Sequence, residues 1–329
     1  MLRNEALKNF LNATGWSTAQ HISLASDASA RTYERLVMGN KTAILMNSPL
    51  SEKPEQFVFI DEVLKKAGIH SPDILAQDLN NGFLILEDFG NNTFTALLNQ
   101  GVAEFDLYQK GIDTLIQMQD RVVLPHGIPL YSHERLMNGV MMLPQWFGKH
   151  ALENGLSEEA IAEFRDIWQD ILSKLEGLPQ TLVLLDYHAD NLMITPNGDC
   201  GVLDFQDACI GPLGYDLMSL LEDERRDVSP AVRNRLIEHY FNCRKVVDTP
   251  AVRASLPIVA MQRHTRVIGI FARLFLRDSK EKYLRMIPFV WELIHRHLNE
   301  SVFQNYKNWI DRYIPERVRT TILTAKDFS

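Results

Sequence analysis

Up to Asp88 apolar and polar positions alternate in short runs, whereas beyond Thr93 the apolar positions recur at helical spacing. Residues 21–25, 32–38 and 41–47 predict strands, with Gly39-Asn40 as a tight hairpin turn between the last two. Residues 56–67 predict a helix, and residues 74–77 and 83–87 a further antiparallel pair. Later, residues 105–118, 158–175, 230–242, 252–275 and 283–297 carry apolar stripes of helical period, and residues 135–147 also read as a helix. Two short apolar runs, 182–185 and 201–203, interrupt them and read as buried strands. Residues 192–195 form another, joined to 201 by the turn Pro196-Asn197-Gly198-Asp199. The pattern predicts an α+β chain, with a sheet lobe over residues 1–88 and a larger, mainly helical lobe over 89–329. The boundary falls near residues 88–90. No long linker, low-complexity tract or repeat intervenes, so the lobes read as one folding unit.

Composition narrows the classes. A chain of 329 residues that is 46% apolar can bury a core large enough for two lobes. The net charge of −8 argues against nucleic acid as partner, since that needs a clustered basic surface. Cys200, Cys209 and Cys243 are odd in number and lack C-x-x-C spacing, which excludes a disulfide framework or zinc site and suits reduced, cytoplasmic thiols. Near the N-terminus Leu7 and Leu11 lie at helical spacing but are interrupted by charge, so no signal-peptide core is expected. Residues 267–276 are too short, and broken by Arg273, to span a bilayer. No membrane association is expected, and the oligomeric state is not legible.

The chemistry concentrates in Asp186-Tyr187-His188-Ala189-Asp190-Asn191, followed after a hairpin by Asp204-Phe205. Phosphoryl transfer needs few reactive groups but needs them fixed relative to each other. Asp186 can accept the proton of a substrate hydroxyl, while the Asn191 amide oxygen and the Asp204 carboxylate are hard ligands suited to Mg²⁺. Each of the three, taken singly, suits a turn as well as a catalyst. Their common placement at the ends of apolar runs points to chemistry instead. G-x-x-x-x-G-K-[ST], G-x-G-x-x-G, G-x-S-x-G and H-E-x-x-H motifs are all absent. The best phosphate-holding candidate is therefore the loop Ser26-Asp27-Ala28-Ser29-Ala30, whose small side chains let backbone N–H groups approach an anion.

Asp186-x-His188-x-x-Asn191-Leu192-Met193, then Val202-Leu203-Asp204-Phe205-Gln206-Asp207-Ala208, then Gly211-Pro212-x-x-Tyr215-Asp216-Leu217, resembles the aminoglycoside phosphotransferase and choline kinase family, whose fold is similar to that of protein kinases. Gln262-Arg263-His264 with residues 267–274 and Arg277-Asp278, together with residues 26–33 and Gly82-Phe83-Leu84-x-Leu86-Glu87-Asp88, looks like the bacterial anomeric kinases of N-acetylmuramate and N-acetylglucosamine. The resemblance implies a loop over the ATP phosphates from Ser26, Asp27, Ala28 and Ser29 to Arg31, and an adenine-reading hinge at Glu87 and Asp88. It further implies Asp186 as base, Asn191 and Asp204 as Mg²⁺ ligands, and Asp216 as a brace of the catalytic loop or a helix N-cap. His188, Asp190 and Arg263 are candidate acceptor contacts, and a guanidinium fork at Arg263 suits a lactyl carboxylate.

Three departures stand out. Leu184 occupies the position of a family His, so packing must hold the loop; Met46 stands where a phosphate-binding Lys is usual, with Arg31 and Lys41 as substitutes. Around Pro144-Gln145-Trp146 the acidic residues of the anomeric kinases are missing, which implies a more apolar acceptor pocket. The expected activity is ATP- and Mg²⁺-dependent phosphorylation of a small-molecule acceptor, an amino sugar, at its anomeric hydroxyl, in cell-wall recycling. The alternatives are an aminoglycoside or amino-alcohol phosphotransferase, and a nucleotide-binding pseudokinase.

Overall fold

The structure, a computed structural model, describes residues 3–24 and 30–328. The chain separates into two compact units, Met1–Gly127 with Leu184–Ala208, and Ile128–Val183 with Cys209–Ser329.

The first unit opens with α1 (Arg3–Ala13) and the strands β1 (Gln20–Ser23), β2 (Thr32–Met38) and β3 (Lys41–Asn47). Helix α2 (Pro54–Lys66), strands β4 (Ile74–Asp78) and β5 (Phe83–Leu86), and helices α3 (Phe94–Asn99) and α4 (Glu104–Arg121) follow. Among the described residues five strands form an antiparallel sheet in the order β1-β2-β3-β5-β4. The β2–β3 hairpin closes with Met38 opposite Lys41, and Gly39 takes a φ of +63° in the turn. Alternation along the strands puts Leu36, Ala43, Leu45, Phe83 and Ile85 into one core, where Ala6, Phe10 and Leu11 of α1 cover them. At Gly82, φ +73°, a Cβ would lie 2.1 Å from the Ser48 carbonyl oxygen, so only glycine can close that end of the sheet.

The chain then builds α5 (His133–Val140), a π-helical turn (Leu143–Gly148), α6 (Lys149–Ala151), α7 (Glu158–Ser173) and β6 (Gln180–Val183) of the second unit. It contributes the hairpin β7 (Leu192–Ile194) and β8 (Cys200–Val202) to the first unit. The second unit is completed by β9 (Cys209–Pro212), α8 (Tyr215–Leu221), α9 (Pro230–Cys243), α10 (Pro250–Asp278), α11 (Ile287–His297), α12 (Gln304–Tyr313) and α13 (Glu316–Thr320). Helix α10 is 29 residues long and contributes buried side chains from Val252 to Leu274. Phe164 and Trp168 of α7 pack on Tyr306 and Trp309 of α12, and the Trp309 indole N–H donates to the Ala160 carbonyl at 2.8 Å.

The helix expected over residues 135–147 stops at Val140. Pro144 lacks an N–H and disturbs the regular ladder, and Leu143–Gly148 adopts the wider π-helical winding. The Met142 backbone is seated on α10 at Gly269, where a Cβ would approach its carbonyl carbon to 2.3 Å. Strand β9 has no apolar alternation and is held by its antiparallel pairing with β6, Val183 opposite Cys209. No helix among the described residues is long and apolar enough to cross a membrane.

Candidate active site

The segment that carries Asp186 is fixed by packing and by bonds within its own unit. Leu184, Leu185, Tyr187 and Ala189 are all buried, and the Tyr187 hydroxyl donates to the Gly111 carbonyl of α4 at 2.7 Å. Leu184, in place of a polar tether, is thus a packing residue. Leu185 is held at φ +72°, a costly conformation for a bulky side chain, and Asp204 at φ +56°. Two of the four non-glycine residues with positive φ among the described residues therefore lie directly at this site. The left-handed turn at Leu185 immediately precedes the Asp186 side chain.

Hairpin β7–β8 folds Asp204 back toward the loop. The Leu203 N–H donates to the Asn191 carbonyl at 2.9 Å, and the Asn191 N–H to the His188 carbonyl at 2.9 Å. The Asn191 side-chain Nδ2 reaches the Asp186 carbonyl at 3.0 Å, His188 Nε2 at 3.3 Å and Asp204 Oδ2 at 3.4 Å. All three contacts use the amide nitrogen, which leaves Oδ1 to face a ligand. An accepting Nε2 places the His188 proton on Nδ1, an atom that is buried without a partner among the described residues. Gln206 Nε2 donates to Asp204 Oδ1 at 2.8 Å and fixes the carboxylate from the other side. Burial, and then the negative charge of Asp186, raise the Asp204 pKa, with Gln206, His188 and Arg31 acting in the opposite direction. Two carboxyl groups that repel each other beside an amide oxygen are a donor set suited to a hard divalent cation.

Arg31 is almost fully buried and donates from Nη2 to the Glu52 carbonyl at 2.7 Å. Its charge reaches both Asp204 and the Tyr33 phenol, whose pKa burial and Asp204 push up to about 12. Met46 is fully buried in the sheet, and Lys41 is exposed at its hairpin. Of the two candidate substitutes for the missing lysine, Arg31 is the one whose charge is felt at Asp204. Ser26, Asp27, Ala28 and Ser29 lie outside the described residues.

The hinge expected at Glu87 and Asp88 is clamped by Arg35 of β2. The guanidinium donates to Asp88 Oδ1 at 2.9 Å, to the Gly90 carbonyl at 2.7 Å and to Asn91 Oδ1 at 2.8 Å. The Glu87 N–H donates to the Asp73 carbonyl at 2.8 Å, while its carboxylate accepts from the Asp73 N–H at 3.2 Å. Asp190 is exposed, and the Thr95 hydroxyl holds it at 2.5 Å. Sequence reasoning assigned no role to Arg35, Thr95 or Gln206. Only Gln206 carried a signal, since it lies two residues after Asp204.

Asp216 and Arg263 belong to the second unit. Asp216 is fully buried in the first turn of α8, whose N-cap position is taken by Gly214. Arg263 is 2% exposed, and its Nη2 meets both oxygens of Glu224 at 3.1 and 3.0 Å. Next to it Glu222 accepts from His264 Nε2 at 3.0 Å and from His297 Nε2 at 2.9 Å. Burial alone would raise the Glu222 pKa, but the bonds from His264 and His297 outweigh it and hold the group well below the usual carboxylate range. Burial likewise disfavours charge on His297, yet Glu222 and Glu300 raise its pKa to about 9.

The network therefore stabilises the fold fully only between two limits. The His297 contribution is complete below its unfolded pKa, about 6.5, and disappears as pH rises through about 9. The Glu222 contribution is complete above about 4.5, its unfolded value, and is lost as pH falls toward the depressed folded value. We expect His297→Gln to cost up to about 3 kcal/mol in urea unfolding at pH 6 and much less at pH 10. An equal cost at both pH values would exclude a charged His297.

Comparison with known proteins gives the family. A model of the phosphotransferase enzyme family matches residues 21–254. An N-acetylmuramate/N-acetylglucosamine kinase of Caulobacter vibrioides is 30% identical over 96% of this chain and 98% of its own length. One of Pseudomonas aeruginosa is 34% identical over 87% of this chain and 86% of its own. Among solved structures, a choline/ethanolamine kinase family protein of Mesorhizobium loti superposes with a TM-score of 0.66 at 13% identity, covering 97% of this chain and 99% of its own. An ADP-bound aminoglycoside phosphotransferase gives 0.61 at 15% identity, covering 92% and 98%. The structural likeness gives the fold class expected from the sequence, protein-kinase-like, with an antiparallel sheet and a mainly helical remainder. The chain belongs to the phosphotransferase enzyme family and is an enzyme that transfers a phosphoryl group to a hydroxyl acceptor.

Proposed function

We propose that this enzyme phosphorylates the anomeric hydroxyl of an N-acetylated amino sugar, N-acetylmuramate or N-acetylglucosamine, with ATP and Mg²⁺. The observation that supports the reading is the Asn191 amide bridging the Asp186 main chain and the Asp204 carboxylate, which ties together the residues the reading takes as base and metal ligands. The names of the relatives at 30% and 34% identity supply the sugar.

Asp186 takes the proton of the acceptor hydroxyl as its oxygen attacks the terminal phosphorus of the nucleotide. Asn191 Oδ1 and the Asp204 carboxylate hold Mg²⁺, with Gln206 setting the orientation of the carboxylate. When bound, the ion neutralises charge on the nucleotide phosphates and lowers the electrostatic repulsion against the attacking oxygen. Arg31 adds positive charge near Asp204, in the place of the lysine that Met46 displaces. The hinge at Glu87 and Asp88 seats the adenine, and His188 and Asp190 contact the acceptor. The product, a sugar 1-phosphate, suits a cytoplasmic step that returns cell-wall sugars to use.

Leu184 and Met46, the two residues that motivate a pseudokinase reading, are both buried in well-packed positions, which favours apolar replacement of tethers over decay of the site. The test is Mg²⁺-dependent ADP release with N-acetylmuramate, N-acetylglucosamine, kanamycin and choline. Turnover with the acetylated sugars alone is expected. Turnover only with kanamycin or choline would overturn the substrate, and nucleotide binding without turnover would favour the pseudokinase.

A further inference from the structure

One guanidinium gathers the segment that leaves β5. From β2, Arg35 Nη2 donates to Asp88 Oδ1 at 2.9 Å and to the Gly90 carbonyl at 2.7 Å, Nη1 donates to Asn91 Oδ1 at 2.8 Å, and Nε lies 2.7 Å from Asp88 Oδ2. The Gly90 N–H closes the turn on Asp88 Oδ1 at 2.9 Å. Arg35 is 16% exposed and Asp88 5%, so the pair is largely shielded from water. An ion pair alone would need only Asp88. The further bonds to Gly90 and Asn91 fix the path of residues 88–91, and a planar fork can hold several points of one turn where a single ammonium cannot.

Packing does not hold this turn at Gly90. The residue sits at φ +85°, and among the described residues no atom lies within 4 Å of where its Cβ would be. Beyond the turn, the Asn92 carbonyl accepts from the Ile194 N–H at 2.9 Å and Thr93 pairs with Met193, so the segment runs from the sheet into the hairpin that leads to Asp204. All of these residues belong to the first unit. The strand register gives the side on which the clamp stands. Arg35 lies opposite Ile44, and Ile44 opposite Leu86, so the three share a face of the sheet. Leu36, Ala43, Leu45 and Ile85 turn the other way, into the core covered by α1. Arg35 therefore shares its face with Tyr33, two residues before it, whose phenol feels the charge of Asp204. The clamp is on the catalytic face.

We infer that Arg35 is a positioning residue for the nucleotide, ordering residues 88–91 in advance so that the hinge meets the adenine in one fixed shape. This rests on the reading of Glu87 and Asp88 as the adenine seat and deepens it. Both Asp88 oxygens are engaged within the protein, so the carboxylate shapes the turn and the base is left to main-chain groups. Without the clamp, a turn that contains glycine must be ordered each time a nucleotide binds, and that ordering subtracts from affinity. The role of Arg35 is in affinity for the base, and the phosphoryl transfer step does not involve it.

The test compares wild type with Arg35→Lys and with the double variant Arg35→Met, Asp88→Asn. The double variant is used because Arg35→Met alone would leave a buried carboxylate without its partner. By calorimetry with Mg²⁺ present, ADP affinity is expected to fall on the order of tenfold to a hundredfold in both variants, the effect of leaving one or two backbone residues to be ordered on binding. Affinity for pyrophosphate, which has no base, should change less than about twofold, because the clamp acts on the adenine seat alone. In turnover, KM for ATP should rise with the loss of ADP affinity while kcat at saturating ATP stays nearly constant. Arg35→Lys keeps the charge and loses the fork, so a loss there assigns the effect to geometry. Wild-type ADP affinity in either variant would overturn the inference, and with a lowered melting temperature it would make Arg35 a residue of stability only. Equal losses for ADP and pyrophosphate would also overturn it, since they report a general loosening. Wild type binding ADP no more tightly than pyrophosphate would instead overturn the hinge reading, and the inference with it.

Discussion

Replacing Asp186 by Asn should lower kcat by a hundredfold to ten-thousandfold, the usual range for general-base assistance, and leave nucleotide affinity within a few fold. Asn has the same shape, and the bond that Asp186 gives the local structure comes from its main-chain carbonyl, which accepts from Asn191 whatever the side chain. The left-handed turn at Leu185 and the anchor from Tyr187 to Gly111 are likewise untouched. Loss of turnover in a protein that melts like wild type would therefore report chemistry and not folding. Unchanged kcat in single-turnover assays would remove Asp186 from the mechanism.

The second large effect is expected at Asp204. Asp204→Asn should weaken Mg²⁺-dependent ATP binding on the order of a hundredfold, at least as much as is lost when a group supporting a metal ligand is removed. Asn is preferred to Ala for this test because it tolerates the φ of +56° and can still accept a bond from Gln206. Burial and the Asp186 charge oppose ionisation of Asp204, so the variant should melt at the same temperature as wild type or higher when metal is absent. Calorimetric titration of ATP with and without Mg²⁺, beside thermal melts, reads both effects. A fall in melting temperature with unchanged Mg²⁺ dependence would make Asp204 a structural residue.

The local parts of the fold were legible because local rules dominate them. The hairpin of β2 and β3 coincides with the expected residues 32–38 and 41–47, since alternation and Gly39-Asn40 specify it within a few residues. Strand β9 was not legible. Cys-Ile-Gly-Pro has a turn composition, and only its pairing with β6 across a long sequence separation makes it a strand. The helix expected over residues 135–147 missed the break, which depends on Pro144 and on Gly269 in another helix.

At the candidate site, the sequence showed residue types and spacing, and the structure does bring Asp186, Asn191 and Asp204 together. What could not be seen were partners remote in sequence. Arg35 reaches the hinge at Asp88 from β2, and Glu224 engages Arg263 from 39 positions away. Periodicity places a side chain on a face, but burial and charge pairing decide whether it is available to a ligand.

The most direct test of anomeric phosphorylation is ³¹P NMR of the product formed from ATP, Mg²⁺ and N-acetylmuramate. The account predicts a phosphomonoester split by the single anomeric proton, absent with Asp186→Asn. A phosphomonoester coupled to the two protons of a primary carbon, or ATP hydrolysed with no phosphorus on the sugar, would contradict it.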